Sequence, residues 1–99
     1  MTMNEHEKLR RRIDELDAEL IALFEARMEV AGRIAEYKME NDIPVFDETR
    51  EEQVICKNVG RLQDQSLEVY AASFFSHLMA LSRKRQHENL KNYPLSHKL

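Results

Sequence analysis

The feature that most constrains this chain is the segment at residues 9–38, which the sequence predicts to be one long amphipathic helix. It contains no Pro and is rich in Leu, Ala, Glu and Arg, which favour helices. Its apolar side chains recur as one helical stripe: Leu9, Ile13, Leu16, Leu20, Leu23, Phe24, Val30, Ala31 and Ile34. About thirty helical residues span on the order of 50 Å, more than the width of a compact domain of this length. One chain cannot cover that stripe alone, so we expect a homodimer.

Two basic residues lie within the predicted stripe. At about 100° per residue, Arg27 falls at its centre, Lys38 returns to nearly the same angle, and Arg10 falls at its edge. A single basic side chain on an apolar face often extends its charge to solvent. Two such cations are less easily explained in this way, because charges are rarely buried without a partner. A bound anion is therefore a natural partner for Arg27 and Lys38.

The long helix is expected to follow a polar lead-in at residues 1–6 and to run to about Glu40, ending at Asn41-Asp42. Residues 43–45 should be extended, because the residue before a Pro avoids the α region.

Two shorter helices are predicted next. The second begins at Asp47 or Thr49, since an acid suits a helix N-terminus, and it ends at Gly60. After a polar turn, Ser66 is the predicted cap of a third helix that runs to about Asn89. On the second helix we expect Val54, Ile55 and Val59 to face inward. The apolar positions of the third helix again follow helical spacing: Val69, Tyr70, Phe74, Phe75, Leu78 and Leu81.

Composition argues against several functional classes. A content of 42% hydrophobic and 33% charged residues is typical of a soluble, helix-biased protein. The net charge of −3 gives no broad positive field for nucleic acid. No stretch resembles a signal peptide or reaches membrane-spanning length. We therefore expect a cytoplasmic protein without nucleic-acid or membrane partners. It should form a single domain over residues 1–99, with its core at about 7–88 and a tail at 90–99 that Pro94 interrupts.

Side chains that usually carry covalent or metal chemistry are not arranged for it. Cys56 is the single cysteine, has no nearby His in the sequence, and is expected to be a small packing residue. The four histidines lack the spacing of metal ligands: His6, His77, His87 and His97. We therefore expect no metal and no cofactor, and a site that binds a small polyanion and stabilises charge.

Each of the three predicted helices carries polar groups on or beside its apolar stripe. Asp47, Arg50 and Glu51 share one helix face, an arrangement that alone is typical of a solvated salt-bridge cluster. Ser82 and Gln86 are four residues apart and alone would be a polar helix edge. Together with the cations of the first helix, they form the candidate site: Arg10, Arg27, Lys38, Asp47, Arg50, Glu51, Ser82 and Gln86.

In these residues the chain closely resembles the all-helical class of chorismate mutases, over roughly residues 7–88. The matching elements are L-R-x-x-I-D-x-L-D from Leu9 to Asp17, Ala26-Arg27, A-x-x-K ending at Lys38, P-V-x-D-x-x-R-E from Pro44 to Glu51, and S-x-x-x-Q from Ser82 to Gln86. Phe46 departs from the pattern, since relatives often have a polar or basic residue there.

The resemblance implies an all-α, intertwined homodimer with three helices per chain and two active sites. Each site is built mainly from one chain and completed by Arg10 of the other. The implied reaction is the pericyclic rearrangement of chorismate to prephenate, in the biosynthesis of Phe and Tyr, without acid, base or covalent intermediate. Arg27 and the second chain's Arg10 would clamp the two carboxylates of the substrate, and Arg50 would orient neighbouring groups.

The remaining candidate residues take roles from the same resemblance. Lys38 and Gln86 would donate hydrogen bonds to the ether oxygen, where negative charge gathers in the transition state. Glu51, with the backbone or side chain of Asp47, would hold the ring hydroxyl, and Ser82 would hold a carboxylate. Because the Gln86 amide does not titrate, we expect activity without an acidic optimum.

Two other functions are compatible with the sequence. An isochorismate-pyruvate lyase would use the same scaffold, but such lyases usually lack an acid at the position of Asp47. A non-catalytic helical dimerisation module would have no need for Lys38 and Gln86 to face one cavity. An assay of chorismate loss with identification of the product distinguishes the three.

Overall fold

The computed structural model describes residues 4–91 and consists of three helices: α1 at Glu5–Glu40, α2 at Glu48–Val59 and α3 at Glu68–Lys91. A short 3₁₀ turn at Gln65–Leu67 precedes α3, and no strand occurs within the described range. The predicted all-α class with three helices is confirmed. Residues 1–3 of the lead-in and the tail around Pro94 lie outside the described residues.

The helix α1 begins earlier than predicted, because its cap lies inside the expected lead-in. The Asn4 side chain accepts a hydrogen bond from the Glu7 backbone N–H at 2.8 Å, as an N-cap residue does. The helix therefore includes the last two residues of the expected lead-in and reaches 36 residues, a length of about 54 Å.

The end of α1 at Glu40 matches the prediction and has a defined closure. Asp42 adopts a left-handed φ of 55°, which Asp tolerates better than most residues. The Ile43 N–H then donates to the Lys38 carbonyl at 2.7 Å, and the Asp42 N–H reaches the Met39 carbonyl at 3.4 Å. This is the two-bond closure that satisfies the last carbonyls of a helix.

The cap of α2 is Asp47, one of the two predicted residues. Its carboxylate accepts from the Arg50 backbone N–H at 3.0 Å, and the helix ends at Val59, with Gly60 next as predicted. The predicted inward positions of α2 are half-buried: Val54, Ile55 and Val59. Cys56 is exposed, so its expected packing role is wrong.

The predicted cap of α3 at Ser66 is also wrong. Asp64 caps the preceding 3₁₀ turn and accepts from both the Ser66 backbone N–H at 3.0 Å and the Ser66 hydroxyl at 2.6 Å. These two hydrogen bonds lower the pKa of Asp64, the side-chain bond having the larger effect. Ser66 therefore lies within the turn, and α3 starts two residues later, at Glu68.

The described residues divide into two compact units, and the boundary lies within α1 between Val30 and Ala31. In the N-terminal unit, the predicted apolar stripe is largely exposed, including Leu9 at 57%, Leu20 at 51% and Leu23 at 68%. No residue of this unit that the structure describes is buried. The apolar stripe of this unit is therefore mostly exposed in the part of the chain that the structure describes.

The C-terminal unit, described from Ala31 to residue 91, contains the small core. Here α2 packs against α3, and the buried side chains are Ala35, Leu78, Met79 and Ser82. Four of the apolar positions of α3 that follow helical spacing are exposed: Val69, Tyr70, Phe74 and Leu81. None of the described helices is both long and apolar enough to cross a membrane.

Candidate functional site

Lys38 lies in the last turn of α1 and is tied to the segment that links α1 to α2, residues 41–47, which we call the connector. Its half-buried ammonium donates to the Val45 carbonyl at 3.2 Å, while its own carbonyl accepts from Ile43. An ammonium group has three N–H donors. The contact with Val45 uses one of them, so Lys38 is held in place with donors left for an anion.

Gln86 is anchored in a similar way on α3. Its side-chain amide is half-buried and donates to the Ala31 carbonyl of α1 at 3.0 Å. A primary amide carries two N–H donors, so the second is available to a ligand. Ala31 lies seven residues before Lys38 on the same helix, a rise of about 10 Å. The C-terminal unit thus contains two fixed donors, one on α1 that binds the connector and one on α3 that binds α1.

Ser82 lies one turn before Gln86 on α3 and is the most deeply buried polar residue of the described chain, at 5% exposure. Its hydroxyl donates to the Leu78 carbonyl one turn earlier, at 3.1 Å. A hydroxyl oxygen also accepts hydrogen bonds. Burial among Leu78 and Met79 fixes the position of this side chain within the core.

The acid–base cluster at the start of α2 differs from the salt-bridge arrangement considered from the sequence. Asp47 receives the backbone N–H of Arg50, and both of these side chains are exposed. Glu51 is half-buried and pairs instead with Arg83, on α3. Within this cluster, Glu51 is therefore the residue with an observed contact to α3.

Arg83 was not among the predicted site residues. Its Nη1 atom donates to Oε1 of Glu51, and its guanidinium carbon lies 5.0 Å from the centroid of the Phe46 ring, within the range of a cation–π contact. The sequence contained one usable signal, since Arg83 follows Met79 by four residues on an apolar face. Its partner Glu51 is 32 residues away, which spacing alone does not reveal.

A continuous set of contacts joins these residues. Lys38 contacts Val45 of the connector, the next residue, Phe46, contacts Arg83, and Arg83 contacts Glu51. The set includes side chains or backbone from the end of α1, the connector, α2 and α3. The structure thus links two residues that the sequence predicted for one site, Lys38 and Glu51, through Arg83.

The other two predicted cations lie in the N-terminal unit. Arg10 is exposed on α1, and Arg27 is half-buried. Among the described residues, no group of three or more His, Cys, Asp or Glu side chains is placed to hold a metal ion. The contacts described above bring together hydrogen-bond donors from Lys38, Gln86 and Arg83 and the half-buried carboxylate of Glu51 in the C-terminal unit. Such a set suits binding an anion and stabilising developing negative charge.

A protein-family model described as chorismate mutase type II matches residues 9–87. The matched range includes nearly all of α1 and α3 and the whole of α2, and it contains all eight predicted site residues. Comparisons with curated proteins and with solved structures gave no significant match.

Proposed function

The chain belongs to the chorismate mutase type II family, and from this premise we propose that it is an isomerase that converts chorismate to prephenate as a homodimer. The reaction breaks an ether C–O bond and forms a C–C bond in one pericyclic step. The protein then has two tasks, which are to hold the substrate in its folded, reactive shape and to stabilise the charge that gathers on the ether oxygen.

The observation that carries the proposal is the anchoring of Lys38 and Gln86. Each is half-buried and bound by one N–H to a backbone carbonyl, with further N–H donors to offer. Donors fixed before the reaction need little reorganisation as charge develops, and a single one contributes about 3 kcal/mol to transition-state stabilisation. We assign both donors to the ether oxygen.

The remaining residues bind the two carboxylates and the ring hydroxyl. Arg27 and Arg10 of the partner subunit clamp the carboxylates. Ser82 holds a carboxylate once its single O–H, which donates to the Leu78 carbonyl in the structure, turns to the substrate. Glu51, together with Asp47, accepts a hydrogen bond from the ring hydroxyl. Arg50 orients the groups next to it.

The apolar stripe of α1 supports a second copy of this chain as the partner. Its side chains are exposed over several turns, among them Ile13, Leu16, Leu20 and Ile34. Burying apolar surface is favourable by about 25 cal/mol per Å², so a stripe this long favours association. A two-fold symmetric pair places the same stripe on both sides of the interface, and the partner's Arg10 belongs to that surface.

The test is an assay of purified protein that follows chorismate loss and identifies the product. We expect prephenate as the product. We expect Lys38→Ala to reduce kcat by about a hundredfold or more while the protein remains a dimer. Lys84→Ala is the matched control, because Lys84 is an exposed lysine of α3 outside the proposed site.

Other outcomes identify the alternatives. Unchanged turnover in Lys38→Ala would reject the role of Lys38. Formation of salicylate and pyruvate from isochorismate, without prephenate formation from chorismate, indicates the lyase. A dimer that leaves both substrates unchanged indicates the non-catalytic module.

A further inference from the structure

We propose that Arg83 is a positioning residue that orients both Glu51 and the connector segment beside Lys38. The proposal rests on the proposed function, because it assigns Arg83 a task in the binding of chorismate. It deepens that function by adding a residue that contacts two sides of the site without contacting the reacting atoms.

The first contact fixes Glu51. The Nη1 atom of Arg83 binds Oε1 of the Glu51 carboxylate, and both side chains are partly buried. A carboxylate has two oxygens that accept hydrogen bonds. With Oε1 held by Arg83, Oε2 is left to accept the ring hydroxyl of the substrate from a fixed direction.

The second contact fixes the connector. The guanidinium of Arg83 lies over the ring of Phe46, at 5.0 Å from its centroid. Phe46 directly follows Val45, whose carbonyl accepts the Lys38 ammonium. A displacement of Arg83 therefore alters the support of the connector as well as the orientation of Glu51.

The chemistry of arginine explains why this position needs both its charge and its shape. A planar guanidinium binds a carboxylate through its edge while an aromatic ring packs on its face. A lysine ammonium keeps the charge but lacks the plane and the fixed fork of donors. Phe46 provides the ring against which the face of the guanidinium packs.

The experiment compares two substrates, chorismate and a synthetic analogue that lacks the ring hydroxyl. Arg83→Gln should lower kcat/KM for chorismate by about tenfold or more, and lower it several times less for the analogue. The analogue has no hydroxyl for Glu51 to accept, so most of the loss disappears with it. A residue with only a structural role would reduce turnover of both substrates by the same factor.

Two further variants complete the test. Arg85→Gln removes an exposed arginine two residues along α3 and should leave both kcat/KM values unchanged. Arg83→Lys should also lose more kcat/KM for chorismate than for the analogue, with smaller losses than Arg83→Gln. It replaces Arg83→Gln in the test if thermal unfolding shows that Arg83→Gln does not fold.

The outcomes separate this proposal from the proposed function. Equal losses for the two substrates would overturn the orientation of Glu51 by Arg83, and no loss in either Arg83 variant would overturn the positioning role as a whole. In both cases chorismate mutase activity of the unsubstituted protein stands. Absence of turnover in the unsubstituted protein rejects the proposed function and, with it, this role.

Discussion

The role proposed for Gln86 sets an expectation for how the reaction responds to pH. Its amide neither gains nor loses a proton in the range where proteins are folded, so it donates equally well in acid and at neutral pH. The same holds for its bond to the Ala31 carbonyl, which requires a donor on the side chain. We therefore expect a turnover rate that does not rise in acid, and a rate that climbs steeply below about pH 6 would contradict the role of Gln86.

The substitution Gln86→Glu should make activity dependent on pH. A carboxyl group donates to a carbonyl or to the ether oxygen only while it is protonated. Activity is then present below the pKa of that carboxyl and is lost above it, by about tenfold per pH unit. Measurement of kcat/KM between about pH 4.5 and 8 checks this expectation. A variant whose profile is as flat as that of the unsubstituted protein would show that residue 86 donates to nothing in the transition state.

At the scale of elements, helix ends place the proposed site residues. The closure of α1 binds the connector to the Lys38 carbonyl, and the Lys38 side chain binds it a second time at Val45. The connector ends at Asp47, which caps α2 one turn before Glu51. Local hydrogen bonds at two helix ends thereby fix the positions of Lys38 and Glu51.

The cap at Asp47 should be visible in stability. Asp47→Ala removes the acceptor of the Arg50 N–H and should reduce the free energy of unfolding by about 1 kcal/mol, whereas Asp47→Ser retains a capping oxygen and should lose little. Thermal or urea unfolding of the two variants measures the difference. If both variants are equally destabilised, the observed hydrogen bond does not stabilise α2.

The elements also show what a sequence can and cannot predict. Residue spacing and capping chemistry predicted the end of α1 at about Glu40 and narrowed the start of α2 to Asp47 or Thr49, because both depend on neighbours within a few residues. The same logic failed at Ser66, where Asp64 two residues earlier takes both donors of the serine. The pair of Glu51 and Arg83 joins two helices, and local pattern does not encode such a contact.

At the scale of the whole molecule, the exposed stripe of α1 and the proposed role of Arg10 both lead us to expect a dimer with shared sites. If each site takes Arg10 from one chain and Lys38 from the other, substitutions at these two residues can be distributed between the two sites of a dimer. In a mixed dimer of Arg10→Ala and Lys38→Ala chains, one site carries both substitutions and the other carries neither.

Two inactive variants should therefore restore activity when mixed. After dissociation and random reassociation in equal amounts, half of the dimers are mixed and roughly a quarter of all sites are intact, so turnover should return to about that fraction. Mixing Lys38→Ala with Gln86→Ala is the control, because the proposal takes both residues from the same chain and every mixed site keeps one lesion. Recovery in the control, or none in the test mixture, would contradict the shared site.

The oxygens that hold Lys38 and Gln86 belong to the peptide backbone, at Val45 and Ala31. A peptide carbonyl is present whatever side chain its residue bears, so exchanging the residue at either place reshapes the surroundings and keeps the acceptor. Positions 31 and 45 are therefore suitable for combinatorial libraries that vary which molecules the protein accepts while the two donors stay where they are.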